Sequence, residues 1–231
     1  MKISALQKGE GKDLVLLHGY LSSKESFYPQ ISYFSKFYRV TAFDFPGFGE
    51  SDPIPDAWSV GDYADWTASY LEEMGIVQPY VMAHSFGGRV SVRLLARGLV
   101  DRAVLCGCAG IVPKRTPSYH LRVRAYRIAR KIAPHFAEKK FGSPEYKTLS
   151  PVMKESYKKI VNEDLREEAK GISCPVLFIT GENDTAAPVS SAEIYHACVK
   201  NSRLLVLKNC GHFAHLDDPL AFNLAAEEFF Q

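Results

Sequence analysis

The 231 residues, 46% of them hydrophobic, suffice for one α/β domain with a sizeable core and an insertion, and the formal charge is only +2. The longest apolar runs have strand length, which excludes a transmembrane helix, and residues 1–6 lack the apolar stretch of a signal peptide. Five cysteines, an odd number with no Cys-x-x-Cys pair, point to free thiols in a reducing compartment and so to the cytoplasm.

Taken in chain order, an edge strand is expected near 2–6. Apolar runs predict buried strands near 14–17, 39–43, 80–84, 102–106, 175–180 and 203–208. Helices are expected near 26–36, 59–74, 86–97, 189–199 and 219–230. Gly75 is a stop signal for the second of these, and Asp218-Pro219 a start signal for the last. Continuous apolar strands alternating with helices imply a mostly parallel central sheet with helices on both faces, an α/β architecture. The alternation is interrupted over 111–170. Pro113 and Pro117 break the chain on entry, and helical patterns recur near 118–133, 135–140, 151–160 and 163–170. Ser150-Pro151 and Asn162-Glu163-Asp164 are helix-start signals. The core is therefore expected at 1–110 and 171–231. No internal repeat or low-complexity linker is present.

Chemistry concentrates where these strands end. Ala83-His84-Ser85-Phe86-Gly87 follows the run 80–82 and opens a helical segment. A serine between a strand end and a helix start, with glycine two residues on, must sit on a sharp turn that lifts its hydroxyl over the positive end of the helix. By itself such a pattern also fits a tight turn with a solvated serine. Further motifs follow other strands: His18-Gly19-Tyr20 after 14–17, Asp44-Phe45-Pro46-Gly47-Phe48-Gly49-Glu50-Ser51 after 39–43, Gly181-Glu182-Asn183-Asp184 after 175–180, and Gly211-His212 after 204–207.

On these residues the chain resembles the α/β-hydrolase family over almost its full length outside 111–170. Its elbow departs from the family's G-x-S-x-G only in carrying Ala83 at the first position, a difference of one methyl. The resemblance implies Ser85 as nucleophile, His212 as general base and Asp184 as the carboxylate that orients it, in the chain order described for this fold. Backbone N–H groups of Tyr20 and Phe86 are implied as the oxyanion hole, because such donors are rigid and already aimed at the oxygen that becomes negative. Other relatives carry the carboxylate after the preceding strand, but Gly107-Cys108-Ala109-Gly110 contains none. Glu182 remains a competitor for Asp184, whose own bland reading is a turn residue. His18 is expected to be a structural hydrogen-bonder. His215 is expected to bond the backbone or cap the final helix. A metal held by His212, His215, Asp217 and Asp218 is a poor reading, since no further histidine or cysteine clusters with them. The 44–51 loop resembles the family's D-x-P-G-x-G-x-S segment and reads as structural, with Phe45 and Phe48 near the pocket. No helix opens directly behind it, as a nucleotide site would require.

The insertion at 111–170 falls where relatives place a helical cap or lid. From 111 to 141 it carries nine lysines and arginines against one acid, Glu138, while the rest of the chain is net acidic. On a helix over 118–133, Arg124, Arg127 and Lys131 would share one face, opposite Leu121, Ala125, Ile128 and Ile132. That face is either solvated, selective for an anionic substrate, or a docking surface for an acidic membrane or polymer. Few aromatics interleave with the basic residues, Tyr119 and Tyr126 being those within 118–133, so nucleic acid is not the expected partner. The resemblance implies a serine hydrolase of a carboxylic ester or related acyl bond, acting on a small molecule through an acyl-enzyme, with no metal or organic cofactor. Two readings keep the same triad: a C–C bond hydrolase and a lyase acting on an anionic metabolite. A perhydrolase is a side reading. A serine at the nucleophile position argues against epoxide hydrolases and haloalkane dehalogenases, which use aspartate there. A non-catalytic binding protein of this fold would usually lack a triad member.

Overall fold

The computed structural model describes residues 1–112 and 148–231. Seven strands form one sheet: β1 (Ala5–Lys8), β2 (Asp13–Leu17), β3 (Arg39–Phe43), β4 (Tyr80–His84), β5 (Arg102–Cys106), β6 (Val176–Gly181) and β7 (Ser202–Leu207), in the spatial order β1-β3-β2-β4-β5-β6-β7. Every pair is parallel except β1 with β3. The inner strands β2 to β6 are buried almost without alternation because both faces are covered, whereas the edge strands β1 and β7 are largely exposed or half-buried. Leu14, Leu16, Met82, Val104, Leu177 and Ile179 pack on one face. Val15, Leu17, Val81, Leu105, Val176 and Phe178 pack on the other. Each such side chain, fully buried, stabilises the fold by about 1.5–3 kcal/mol.

The helices are α1 (Tyr28–Phe34, preceded by a 3₁₀ turn at Lys24–Phe27), α2 (Val60–Glu73), α3 (Phe86–Ala96), α4 (Pro151–Asn162), α5 (Arg166–Lys170), α6 (Val189–Cys198), α7 (Ala214–Asp217) and α8 (Pro219–Phe230). Local signals set most of their starts. Ser59 and Asp62 close a reciprocal capping box on α2, Ser150 accepts from Met153 N on α4, and Asp218 accepts from Ala221 N on α8. The helices expected near 151–160 and 163–170 are α4 and α5, the latter starting three residues late. Those expected near 118–133 and 135–140, with the basic face, lie outside the described residues.

Three local expectations shift. The edge strand runs over 5–8 rather than 2–6, because residues 2–4 bond the 44–52 loop instead: Lys2 N donates to Asp52 Oδ2 at 2.5 Å, and Asp44 N donates to Ser4 O at 2.9 Å. The helix expected at 26–36 is shorter, since Lys24–Phe27 winds as a 3₁₀ turn whose Lys24 N donates to Asp44 Oδ1 at 2.7 Å. Last, the short helix α7 follows His212, where no separate helix was expected.

Candidate active site

Ser85 sits at the carboxyl end of β4 and immediately before α3, with φ 51° and ψ −103°, a conformation rarely populated outside glycine. Its neighbours hold it there. Ser85 N donates to Cys106 O at 3.0 Å, Gly87 N to His18 O at 3.0 Å, and Ala109 N to Ser85 O at 3.3 Å. Glycine is required two residues on, because a Cβ at Gly87 would overlap the Leu17 carbonyl. Ala83 is fully buried at the first elbow position, so its methyl is accommodated.

The other two candidate side chains come from the ends of β6 and β7. His212 Nε2 lies 3.0 Å from Ser85 Oγ, and His212 Nδ1 lies 2.8 Å from Asp184 Oδ2. An ionised carboxylate only accepts, so Nδ1 carries the proton and the Nε2 lone pair faces the serine hydroxyl. Asp184 Oδ1 accepts from Ala186 N and Ala187 N, both at 2.8 Å, which clamps the carboxylate in a side-chain environment with no solvent exposure. Gly107, at φ 51°, gives the pair room: a Cβ there would lie 3.1 Å from His212 Nδ1 and 3.2 Å from Asp184 Oδ2. Glu182, the competing carboxylate, points elsewhere and accepts from Asn209 N at 3.2 Å.

The loop after β2 packs beside the elbow. A Cβ on Gly19 would be 3.6 Å from Ser85 Cβ, and the Tyr20 ring meets Phe86 edge-on at 5.6 Å. Phe86 N is the first amide of α3, where a helix leaves its N–H groups without intrahelical partners. His18 is structural as expected, since Phe45 N donates to its Nε2 at 3.0 Å and its Nδ1 donates to Gly19 O at 2.7 Å. The 44–51 loop folds around buried Asp44, which accepts from Lys24 N, Lys24 Nζ and Glu50 N. Phe45 and Phe48 lie at 5.3 Å and 5.9 Å from the Phe86 ring.

His215 does not cap α8, a task taken by Asp218. It is buried within α7, with Nδ1 3.7 Å from Cys106 Sγ. Asp217 accepts from Gly211 N at 2.7 Å, so the acidic residues here serve the backbone. Among the described residues no group of three or more His, Cys, Asp or Glu could hold a metal ion. Sequence reasoning missed the contribution of α4: Tyr20 Oη donates to Met153 O at 3.2 Å, and the Tyr20 and Tyr157 rings lie 5.2 Å apart. The helix itself was legible, but no local signal says which loop it faces.

Burial has a further consequence for the histidines. It pushes His18 and His215 down to about 4, and His84 well below the ordinary 6.5. In the unfolded chain these imidazoles protonate near 6.5, so their stabilisation is complete above that pH and is lost as pH falls from 6.5 towards 4. Urea unfolding at pH 7.5 and pH 5 is expected to show a drop of roughly 2 kcal/mol for each of His18 and His215. A stability unchanged over that interval would contradict the neutral burial of these rings.

Strand order and the strand-to-helix serine together define an α/β protein with a mostly parallel sheet and a candidate site at the carboxyl ends of its strands. The chain belongs to the alpha/beta hydrolase family, whose profile matches residues 14–226. Its sequence is 28% identical to (E)-2-((N-methylformamido)methylene)succinate hydrolase of Acinetobacter baylyi, over 97% of this chain and 92% of that protein. It superposes on an esterase from Exiguobacterium antarcticum with a TM-score of 0.78 and 22% identity, covering 98% of this chain and 94% of the other. It also superposes on a meta-cleavage product hydrolase from Pseudomonas fluorescens with a TM-score of 0.76 and 22% identity, covering 99% and 93%. Among the described residues no helix is long and apolar enough to cross a membrane.

Proposed function

We propose that the protein is a serine hydrolase that cleaves a carboxylic ester or related acyl bond through a covalent acyl-enzyme. The observation that carries this reading is the hydrogen-bonded chain Ser85 Oγ, His212, Asp184. Ser85 Oγ attacks the acyl carbonyl while His212 Nε2 takes the hydroxyl proton, and Asp184 stabilises the imidazolium. Negative charge develops on the carbonyl oxygen, for which Tyr20 N–H and Phe86 N–H are the proposed donors. Collapse expels the alcohol, which takes the proton back from His212. Water then attacks the acyl-enzyme by the same route, releasing the acid and restoring Ser85.

Residues 111–170 are proposed as a cap over this site, inserted between core segments 1–110 and 171–231, in a cytoplasmic enzyme. An anionic substrate is the favoured choice within the class. Two observations support it: the basic excess of residues 111–141, and the 28% identical relative whose name carries a succinate, a dicarboxylate. Steady-state assays on paired anionic and neutral acyl esters test both levels. Turnover of esters is expected, with higher kcat/KM on the anionic partner and a preference that shrinks with salt, since charges beyond roughly 8 Å are largely screened at about 0.15 M ionic strength. Combining Arg124→Gln, Arg127→Gln and Lys131→Gln is expected to flatten the preference while leaving the neutral ester unaffected. Absence of ester turnover would defeat the hydrolase chemistry proposed, equal kcat/KM on the paired esters would defeat the anionic assignment, and a triple variant that keeps the wild-type charge preference and salt dependence would show that this basic face does not select the substrate.

A further inference from the structure

His84 precedes the elbow serine, is 1% exposed, and takes no part in the proton transfers described above. Its position is nevertheless central. Nε2 lies 3.0 Å from the backbone carbonyl of His212, and a carbonyl only accepts, so Nε2 carries the proton and Nδ1 does not. That Nδ1 is buried without a hydrogen-bond partner. It faces the loop after β2: a Cβ on Gly19 would lie 2.7 Å from it and 3.2 Å from Cε1. The ring faces are also occupied, with His212 and His215 each 4.7 Å away between centroids and Phe213 at 4.8 Å. One imidazole therefore touches the loop carrying Tyr20 N–H, adjoins the serine along the chain, and bonds the backbone of the histidine that faces the serine.

We propose that His84 is a positioning residue, whose Nε2–H bond to the His212 carbonyl fixes the His212 ring relative to Ser85 and to the Gly19-Tyr20 loop. This rests on the Ser85–His212–Asp184 reading above. The device suits its place. His212 has to become an imidazolium during the reaction, and a second protonated ring 4.7 Å from it between centroids would oppose that charge. Burial keeps His84 neutral by pushing its titration well below 6.5, so the neighbouring ring holds geometry without competing for the proton. The partnerless Nδ1 is explained in the same terms, because the tautomer is chosen by the bond to His212 and leaves a lone pair over Gly19.

Two amide substitutions separate the bond from mere bulk. His84→Gln places an N–H donor near the native Nε2 position, whereas the shorter His84→Asn places it near Nδ1, out of reach of the His212 carbonyl. In the Asn variant kcat for an acyl ester is expected to fall by about 10- to 100-fold with KM nearly unchanged, as for a reacting group displaced by a fraction of an ångström to 1 Å. The Gln variant is expected to recover to within about threefold of wild type. The rate of Ser85 labelling by a fluorophosphonate should follow the same order. A long-range ¹H–¹⁵N spectrum of wild type at pH 7 should show His84 protonated at Nε2 and bare at Nδ1. Equal kcat in the two folded variants, a loss expressed in KM instead, or a proton on Nδ1 would each overturn the assignment. Wild type that resists labelling altogether would instead remove the serine-hydrolase reading, and this inference with it.

Discussion

Ser85→Ala is expected to remove fluorophosphonate labelling completely and to lower kcat on acyl esters by a factor on the order of 10⁴–10⁶, to a residue of catalysis from binding and the oxyanion donors alone. The expectation follows from the local geometry. The hydroxyl is the group that His212 Nε2 faces at 3.0 Å, and the strained backbone at φ 51° serves to present it. Alanine keeps that backbone, since the bonds from Ser85 N to Cys106 O and from Ala109 N to Ser85 O involve main chain only. The variant should therefore remain folded, with its melting temperature within a few degrees of wild type, because alanine keeps the Cβ and the main-chain bonds and so leaves the backbone strain at this position unchanged. Labelling that persists in Ser85→Ala, mapped to another serine, would move the nucleophile elsewhere.

His212→Ala is expected to lower kcat by a similar order, about 10⁴- to 10⁶-fold, and combining it with Ser85→Ala should add little, because residues that act as one unit give non-additive losses. His215→Ala separates base from scaffold. His215 is fully buried, packs on Phe27 and Phe222, and lies 3.7 Å from Cys106 Sγ, so its removal creates a cavity rather than a missing proton acceptor. A stability loss of about 2–4 kcal/mol is expected, with kcat within roughly tenfold of wild type in the fraction that stays folded. Measuring kcat and urea midpoints for both variants decides the matter. Comparable kcat losses from the two, in folded protein, would mean that His212 is not the base.

Much of this was legible in the residues. A buried parallel strand is a short continuous apolar run, so six of the seven strands declare themselves within two residues of their observed bounds. The exception is β1, whose four residues are all exposed and whose extent is set by pairing with β3 rather than by its own pattern. Helix starts carrying a side-chain cap at Ser150 and Asp218 were likewise readable because the cap is a bond between neighbours in sequence. The elbow was readable for a related reason. Strand, serine and glycine lie within a few residues, and glycine at 87 is demanded by a steric limit that sequence records directly.

What only the tertiary structure decided involves partners far apart in the chain. Ser85 and His212 are separated by 127 positions and meet because parallel strands all end on one edge of the sheet, where their following loops converge. Which carboxylate meets His212 is visible only in the loop itself, where Asp184 Oδ2 lies 2.8 Å from His212 Nδ1 and the Ala186 and Ala187 amides clamp Asp184, while Glu182 accepts from Asn209 N. The approach of Tyr20 to Met153 across 133 positions, and of His84 to the His212 carbonyl across 128, leaves no periodic or local trace. Hydrophobic patterning records how deeply a residue is buried along its own element. It does not record which distant backbone group that residue will meet, because that depends on how the elements pack.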